Sequence, residues 1–218
     1  MAGTVNFQGS STDNYYIDKV DLIITNITTT NSNYIVSNSA LNSTNWSYNF
    51  DTTTLSDGQY NVYSITYDEV QNISNSSPVS FLIDRTPPTV TVQLPVFDAT
   101  LAGTNNFSGI SLDANTVTKI ELYSDTTNNF VVNASGTTSW SYSTNVNALW
   151  TVDGYHYLFA RAYDQHNLNT FSTQFRYLID TTAPSDITIT LPTNYSICGT
   201  NITIEGNATD NLVLYNIK

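Results

Sequence analysis

Two segments of this chain, 96 positions apart, have nearly the same sequence. Residues 82–95 read LIDRTPPTVTVQLP, and residues 178–192 read LIDTTAPSDITITLP. The similarity extends upstream, because LSDGQYNVYSITYD at 55–68 aligns with TVDGYHYLFARAYD at 151–164, and WSY at Trp46 returns at Trp140. Such self-similarity is typical of tandem repeats, whose copies are separate structural units. The chain must therefore fold as a series of similar modules.

The repeats divide the chain into three parts. VNFQGSSTDNYYIDKVDL at 5–22 resembles NFSGISLDANTVTKIEL at 106–122, and ITIEGNATDNLVLYNIK at 202–218 begins a third copy. The first copy lacks a counterpart of TVTVQLP, the segment that opens the second. We therefore predict a repeat over 1–84 without its first strand, a complete repeat over 85–180, and the first strands of a third over 181–218.

Side chains that alternate within each repeat predict β-strands. In DGYHYLFARAYD, His156, Leu158, Ala160 and Ala162 fall on one face of an extended chain. Short runs rich in Thr, Val, Ile and Tyr are separated by Asn, Asp, Gly and Ser, as strands and turns require. About seven strands per repeat is the size of an immunoglobulin-like sandwich. The predicted fold class is all-β, with tandem immunoglobulin-like sandwiches of about seven strands each, joined by short proline-containing linkers.

Two local features fit this sandwich. A D-G-x-Y sequence ahead of the penultimate strand predicts a tyrosine corner, in which the hydroxyl of Tyr60 bonds to backbone. Its counterpart in the second copy is His156, which can also present a donor above an apolar body. Trp46 and Trp140 are expected to fill the space between the two sheets.

Together these residues resemble a known family, the bacterial immunoglobulin-like repeats of large surface adhesins and other secreted multidomain proteins. The shared pattern contains the mid-repeat tryptophan, the D-G-x-Y/H turn and the closing I-D-x-T-x-P, and it covers nearly the whole chain. The resemblance implies the sandwich fold, an extracellular or cell-surface location and no catalytic activity. It does not select one role, because such repeats serve as stalks, adhesive tips and enzyme appendages.

The I-D-x-T-x-P phrase is expected to form the joint between successive sandwiches. Pro87, Pro88 and Pro184 fix φ and favour extended geometry, which gives a semi-rigid joint. In this topology the joint lies beside two loops of the next repeat, and converging carboxylates are what Ca²⁺ prefers. Related adhesin repeats are similar in placing calcium there. The alternative is that each aspartate caps a turn. The candidate ligands are Asp84, Asp113, Asp164, Asp180 and Asp210.

The outward face of the second repeat is a candidate ligand surface. Hairpin geometry is expected to bring Arg161 and Arg176 close together, with Tyr157 and Tyr163 beside them. Aromatic faces beside an arginine could bind a sugar or an acidic group. The alternative is cross-strand aromatic pairing that only stabilises the sheet, or contact with a neighbouring domain.

Charge and residue content exclude several function classes. With 6 Lys plus Arg against 18 Asp plus Glu, the net charge of −12 argues against nucleic acid and anionic membranes as partners. No apolar run is long enough for membrane insertion. The single cysteine, Cys198, cannot form an internal disulfide. Since free cysteines are usually buried, we expect Cys198 to be a small buried thiol. No nucleophile–base set, phosphate-binding glycine loop or Cys/His metal spacing is present, so we predict no enzyme and no cofactor other than calcium.

Ten N-x-S/T sequons occur, which fits an exposed extracellular surface and makes glycosylation possible. They lie at Asn26, Asn42, Asn45, Asn72, Asn75, Asn106, Asn133, Asn194, Asn201 and Asn207. The opening MAGTVNFQGS has neither a basic nor an apolar leader region, and we interpret the chain as a piece of a longer protein.

Three functions remain open at this point. The first is a structural stalk, spacer or adhesive repeat of a microbial surface protein, with neighbouring repeats and surface glycans or proteins as partners. The second is a filament or surface-layer subunit that assembles with like chains by strand donation. The third is a carbohydrate-binding accessory module of a secreted hydrolase.

Overall fold

We analysed the fold in a computed structural model, which describes residues 3–27, 33–38 and 45–212. Nearly all of its regular structure is β-strand. The chain divides into two compact units, Met1–Thr86 and Pro87–Lys218. The first boundary lies two residues beyond the end predicted for the first repeat, and the residues of the third repeat are grouped with the second.

Among its described residues the first unit has seven strands in two sheets. One sheet pairs β1 with β4, and the other has the order β3-β2-β5-β6, with β7 also paired to β5. All pairs are antiparallel. A short 3₁₀ turn, Thr52–Thr54, follows β4. The strands are β1 (Thr4–Ser10), β2 (Ile17–Asn26), β3 (Asn33–Asn38), β4 (Asn45–Asp51), β5 (Gly58–Asp68), β6 (Ile73–Asn75) and β7 (Val79–Ile83).

The complete repeat within the second unit adds two strands at its start. One sheet has the order β13-β10-β8, and the other has the order β12-β11-β14-β16-β9, with β15 paired to β14. The leading segment thus contributes β8 to one sheet and β9 to the other, where β9 runs parallel to β16. The elements are β8 (Thr89–Leu94), β9 (Thr100–Leu101), β10 (Thr104–Leu112), β11 (Val117–Ser124), β12 (Phe130–Asn133), β13 (Ser139–Asn145), the one-turn helix α1 (Val146–Leu149), β14 (Gly154–Asp164), β15 (Asn169–Phe171) and β16 (Phe175–Ile179).

Two further strands, β17 (Ser185–Leu191) and β18 (Glu205–Thr209), open the third repeat. They pair antiparallel in a sheet of their own, and every residue of β17 is exposed. This pairing corresponds to that of β8 with β10 in the second repeat, so the third copy begins in the same way as the second.

The core of the second repeat lies between its two sheets. Alternate residues of β14 point inward, and Leu158, Ala160 and Ala162 have no exposed surface. Trp140 is 2% exposed and packs in the same cluster as Val90 and Val92 of β8. The prediction that Trp140 fills the space between the sheets is confirmed.

The core of the first unit is smaller and less covered. Leu22, Ile24 and Tyr60 are buried between its sheets, whereas Phe7 and Trp46 are half-buried. Trp46 packs against this core, as predicted, but it stays half-buried, because no described strand of this unit lies where β8 covers the second core. The strand content, the facing sheets and the antiparallel pairing confirm the predicted class of tandem immunoglobulin-like sandwiches.

Candidate functional site

The turn before the penultimate strand is built as the sequence predicts. The buried Tyr60 donates its hydroxyl proton to the carbonyl oxygen of Ser56 at 3.0 Å. In the second repeat His156 takes the same position, with Nε2 2.8 Å from the carbonyl oxygen of Val152. Its ring stacks on Trp150 at 5.4 Å between centroids. The tyrosine-corner prediction is confirmed for Tyr60, and histidine reproduces its backbone contact.

The same turn fastens the joint that leaves the first sandwich. Asp57 Oδ2 accepts a hydrogen bond from the hydroxyl of Thr86 at 2.6 Å and from the backbone N–H of Arg85 at 3.2 Å. The Arg85 guanidinium donates to Asp57 Oδ1 and to the carbonyl oxygens of Thr53 and Leu55. Both linker residues are therefore tied to the sandwich from which they emerge.

Asp153 makes the equivalent contacts in the second unit. Its Oδ1 accepts from the Thr181 N–H at 2.8 Å and from the Thr181 hydroxyl at 2.7 Å. Its Oδ2 accepts from the Thr182 hydroxyl and from the Asn211 side-chain amide at 2.8 Å. One carboxylate thus binds both the linker and the first loop after β18.

These bonds favour the charged carboxylate. The hydroxyls of Thr182 and Thr181 and the amide of Asn211 hold the pKa of Asp153 well below its usual range. The hydroxyl of Thr86 lowers the pKa of Asp57 in the same way. Sequence reasoning missed both residues as joint contacts. The pattern that could have indicated them is the D-G turn, which recurs at a fixed distance before each I-D-x-T phrase.

The aspartates predicted to bind calcium are engaged mainly in turns. Asp113 Oδ1 accepts from the Asn115 N–H at 2.7 Å, and Asp210 Oδ1 accepts from the Leu212 N–H at 2.9 Å. The buried Asp84 of the first unit accepts from the Thr86 N–H, and Asp180 of the second unit is half-buried. The hydrogen bonds of Asp84, Asp113 and Asp210 are therefore turn caps, which is the alternative to a metal site given above.

Asp164 differs from the other four. It is 1% exposed, and its Oδ1 accepts from the backbone N–H groups of His166 and Leu168 at 2.7 and 2.9 Å. Its Oδ2 is buried and has no hydrogen-bond partner among the described residues. A buried charged oxygen without a partner is unfavourable unless a cation or another donor reaches it. Calcium binding stays a prediction, and Asp164 is the residue that favours it most.

The register separates the two arginines of the candidate ligand surface. Arg161 pairs with Phe171 on β15, whereas Arg176 pairs with Tyr157, four residues away along β14. The expected proximity of the two arginines is therefore wrong. Four residues of a strand span roughly 13 Å.

Each arginine belongs to its own aromatic cluster. The Arg161 guanidinium lies 4.9 Å from the ring centroids of both Tyr163 and Phe171 and donates to Asn169 Oδ1. Next to it, the Tyr163 hydroxyl donates to Glu121 Oε2 at 2.8 Å, and burial together with this bond raises the pKa of Tyr163. These contacts lie within the sheet and fit the alternative to ligand binding, namely side-chain pairing that only stabilises the sheet.

The Arg176 cluster is more open and includes residues that the sequence did not indicate. Arg176 forms a two-bond ion pair with Asp98 and lies 4.5 Å from the ring centroid of Tyr155 and 5.5 Å from that of Phe97. Tyr155 and Phe97 are both more than half exposed. This arrangement leaves aromatic faces beside a guanidinium available to a ligand.

The sequons lie mostly on exposed residues. Asn26 is half-buried, and Asn42 lies outside the described residues. The side chains exposed to solvent are those of Asn45, Asn72, Asn75, Asn106, Asn133, Asn194, Asn201 and Asn207. Glycosylation of these residues stays a prediction.

Cys198 is exposed, so the expectation of a buried thiol is wrong. It lies between β17 and β18, a segment whose side chains are almost all exposed. Among the described residues, no helix is long and apolar enough to cross a bilayer.

The sandwiches and their fastened joints define a class, the tandem immunoglobulin-like repeat proteins. Residues 44–135 match the bacterial Ig-like domain (group 3), and this match spans the joint between the first two repeats. The resemblance predicted from the sequence is confirmed over these residues. No curated protein sequence matches the chain.

Several solved structures resemble this chain at low identity. The fibronectin(III)-like modules of Clostridium thermocellum CbhA are 16% identical, with a TM-score of 0.38, over 83% of this chain and 86% of theirs. A tetra-tandem repeat from the extending region of a large adhesion protein is 22% identical, with a TM-score of 0.38, over 95% of this chain and 59% of its own. The endo-beta-1,4-mannanase of Thermotoga petrophila is 14% identical, with a TM-score of 0.36, over 45% of this chain and 21% of the enzyme.

Proposed function

We propose that the chain is a non-catalytic spacer segment of an extracellular bacterial surface protein. The observation that carries the proposal is the fastening of each joint to the sandwich before it, through Asp57 in one repeat and Asp153 in the next. After each of the two repeats, side-chain hydrogen bonds hold the linker against the preceding sandwich, and this limits the conformational freedom of the linker. Limited freedom is what a spacer requires, whereas a flexible tether would leave these threonines unbonded.

The match to the bacterial Ig-like domain supports the extracellular part of this proposal. The exposed sequons and the acidic surface, with a net charge of −12, are compatible with it. A spacer needs no ligand pocket and no catalytic group. In this proposal its function depends on the joints, which limit motion between successive modules.

Single-molecule force spectroscopy tests the spacer role. A complete sandwich of about 95 residues should unfold as one event and release roughly 30 nm of chain, since extended residues span about 3.3–3.6 Å each. Asp153→Asn should leave that length unchanged and lower the unfolding force of the second unit. Gradual extension without a discrete event would contradict the proposal, because a spacer must hold its length under load.

A second measurement addresses the joint directly. Backbone ¹⁵N relaxation of Arg85, Thr86, Thr181 and Thr182 should give order parameters near 0.85, the value of rigid backbone. Asp57→Ala should reduce the values at Arg85 and Thr86 and leave those at Thr181 and Thr182 unchanged. Equal, low values in the wild-type protein would show that the joints are flexible tethers.

Glycan binding is the second candidate function, favoured by one observation. Tyr155 and Phe97 present exposed rings beside Arg176, so apolar faces and a charged group are available together to a ligand such as a sugar. On a glycan array, Arg176→Ala with Tyr155→Ala should abolish binding, whereas Arg161→Ala should preserve it. Absence of binding by the wild-type protein would exclude this role and leave the spacer role intact.

A further inference from the structure

The two charges at the centre of the Arg176 cluster cancel each other. Arg176 Nε donates to Asp98 Oδ1 at 2.5 Å, and Nη2 donates to Oδ2 at 2.7 Å. The backbone N–H of Asp98 also donates to the carbonyl oxygen of Arg176 at 2.8 Å. The bonds from the guanidinium lower the pKa of Asp98, so the carboxylate stays ionised at neutral pH. The pair therefore presents no net charge to a ligand.

This ion pair keeps hydrogen-bonding capacity on its exposed side. The Arg176 side chain is 36% exposed, and that of Asp98 is 42% exposed. Each carboxylate oxygen accepts one bond from Arg176 and has a further lone pair, while the guanidinium has more N–H donors than the pair uses. A hydroxyl group, which both donates and accepts, matches such a surface.

The aromatic rings beside the pair are held in place by contacts within the protein. Phe97 packs edge-on against Phe175, with 5.8 Å between ring centroids and 82° between ring planes. Phe175 in turn packs against the core of the second repeat. Tyr155 lies 4.5 Å from the Arg176 guanidinium, measured to its ring centroid. Because these groups are already ordered, a ligand loses little affinity to the ordering of the site.

The first repeat indicates that the fold does not require this cluster. Gln59 and Ser80 take the positions of Tyr155 and Arg176, and the two strand pairs have the same register. Ser80 donates to Asn61 Oδ1 at 2.7 Å, so small polar side chains complete this part of the sheet. Stabilisation of the sheet alone therefore does not account for an arginine and exposed rings at these positions.

The charge distribution disfavours an acidic ligand at this site. The Nε–Nη2 edge of Arg176, which can bind a carboxylate through two parallel bonds, is occupied by Asp98. A ligand carboxylate that reached the remaining donors would approach the carboxylate of Asp98. The chain as a whole carries a net charge of −12, which also repels anions.

We propose that the Arg176 cluster binds a neutral pyranose ring and discriminates against sugars that carry a carboxylate. The rings of Phe97 and Tyr155 contact the apolar C–H face of the sugar, and Asp98 accepts hydrogen bonds from its hydroxyl groups. The free N–H groups of Arg176 donate to the hydroxyl oxygens. This inference rests on the glycan-binding function proposed above and adds the class of sugar.

Titration of the whole chain with matched sugars tests the proposal. The neutral probes are methyl β-D-glucopyranoside and methyl β-D-galactopyranoside, and the acidic probes are the corresponding uronides, which differ only at C6. In ¹H–¹⁵N NMR spectra a neutral probe should bind with a Kd of about 1 mM, as expected for a ligand of this size. Its uronide should bind about tenfold more weakly or worse, because like charges meet at Asp98. The shifted amide signals should be those of Phe97, Tyr155, Arg176 and their neighbours.

Variants of the cluster test the roles of its residues. Tyr155→Gln with Arg176→Ser introduces the side chains of the first repeat, so the fold should be retained and binding of the neutral probe lost. Asp98→Asn removes the neutralising charge, and asparagine tolerates the φ of 62° at this position. This variant should bind the uronide about tenfold more tightly than the wild type does. Arg161→Ala is the control that should change neither affinity, and circular dichroism verifies the fold of each variant.

The possible outcomes separate this inference from the glycan function itself. Equal or tighter binding of a uronide by the wild type, lost in the double variant, would overturn the charge selection and leave glycan binding intact. Binding of a neutral probe that persists in the double variant would overturn the assignment to this cluster. Binding of none of the four probes would overturn both the inference and the glycan function.

Discussion

Replacing Tyr60 with phenylalanine tests the corner that anchors the first joint. Tyr60 is 1% exposed, its hydroxyl donates to the Ser56 carbonyl oxygen at 3.0 Å, and its ring stacks on Phe81 at 5.6 Å between centroids. Phenylalanine keeps the ring and removes only the hydroxyl. A neutral hydrogen bond contributes about 0.5–1.5 kcal/mol to the free energy of unfolding, and the Ser56 carbonyl would lose a partner.

We therefore expect Tyr60→Phe to lower the stability of the first unit by about 1 kcal/mol. For a domain of 60–100 residues this corresponds to a fall in Tm of about 4–8 °C. Differential scanning calorimetry measures the shift, and Tyr195→Phe, at a residue that is 96% exposed, is the control that should leave Tm unchanged. An unchanged Tm in Tyr60→Phe would refute the role of the hydroxyl. An equal fall in the transitions of both units would refute their separate cores.

Three further predictions concern the joints and the candidate sites. Asp153→Asn should destabilise the chain at pH 7 and progressively less as the pH falls below about 3.9: the folded-state pKa of Asp153 is depressed, so its contribution is fully present above the unfolded pKa of about 3.9 and is lost only as the pH falls from there through the folded-state pKa. Urea denaturation at several pH values measures this difference, and a difference that is constant with pH would contradict the charged hydrogen bonds. Millimolar CaCl₂ should raise the Tm of the wild-type chain, EDTA should reverse the rise, and Asp164→Asn should abolish it; an identical wild-type Tm in both buffers would refute calcium binding. Gly109→Ala should cost about 1–3 kcal/mol in the free energy of unfolding, because the new methyl group would overlap the Thr91 carbonyl oxygen; a change below 0.5 kcal/mol by urea denaturation would show that β8 moves aside easily.

The strands, the corner and the joints could be predicted because they depend on local patterns. Three patterns reflect local backbone geometry, which depends on only a few neighbouring residues. They are the alternation in β14, the D-G turn before Tyr60 and the prolines after Asp84. Duplication strengthened each of these patterns, since a feature present in two copies reflects a shared structural need.

The errors concern contacts between distant segments. The positions of Arg161 and Arg176 depend on how β14 pairs with β15 and β16, and the sequence does not fix that register. Trp46 was expected between the sheets because Trp140 has the same sequence neighbours, yet β8 covers Trp140 and no described strand takes that place beside Trp46. The aspartates of the D-G turns were missed because their threonine partners lie 28 or 29 residues further along the chain.

Hydrogen exchange of a Trp140→Ala variant tests most directly whether each repeat folds around its own core. Trp140 is 2% exposed, and truncating a buried tryptophan costs about 3–5 kcal/mol. Mass spectrometry should show lower amide protection in β10, β11 and β14 and unchanged protection in β2 and β5. Equal loss of protection in β2 and β5 would contradict the account, because it would require one core shared by both units.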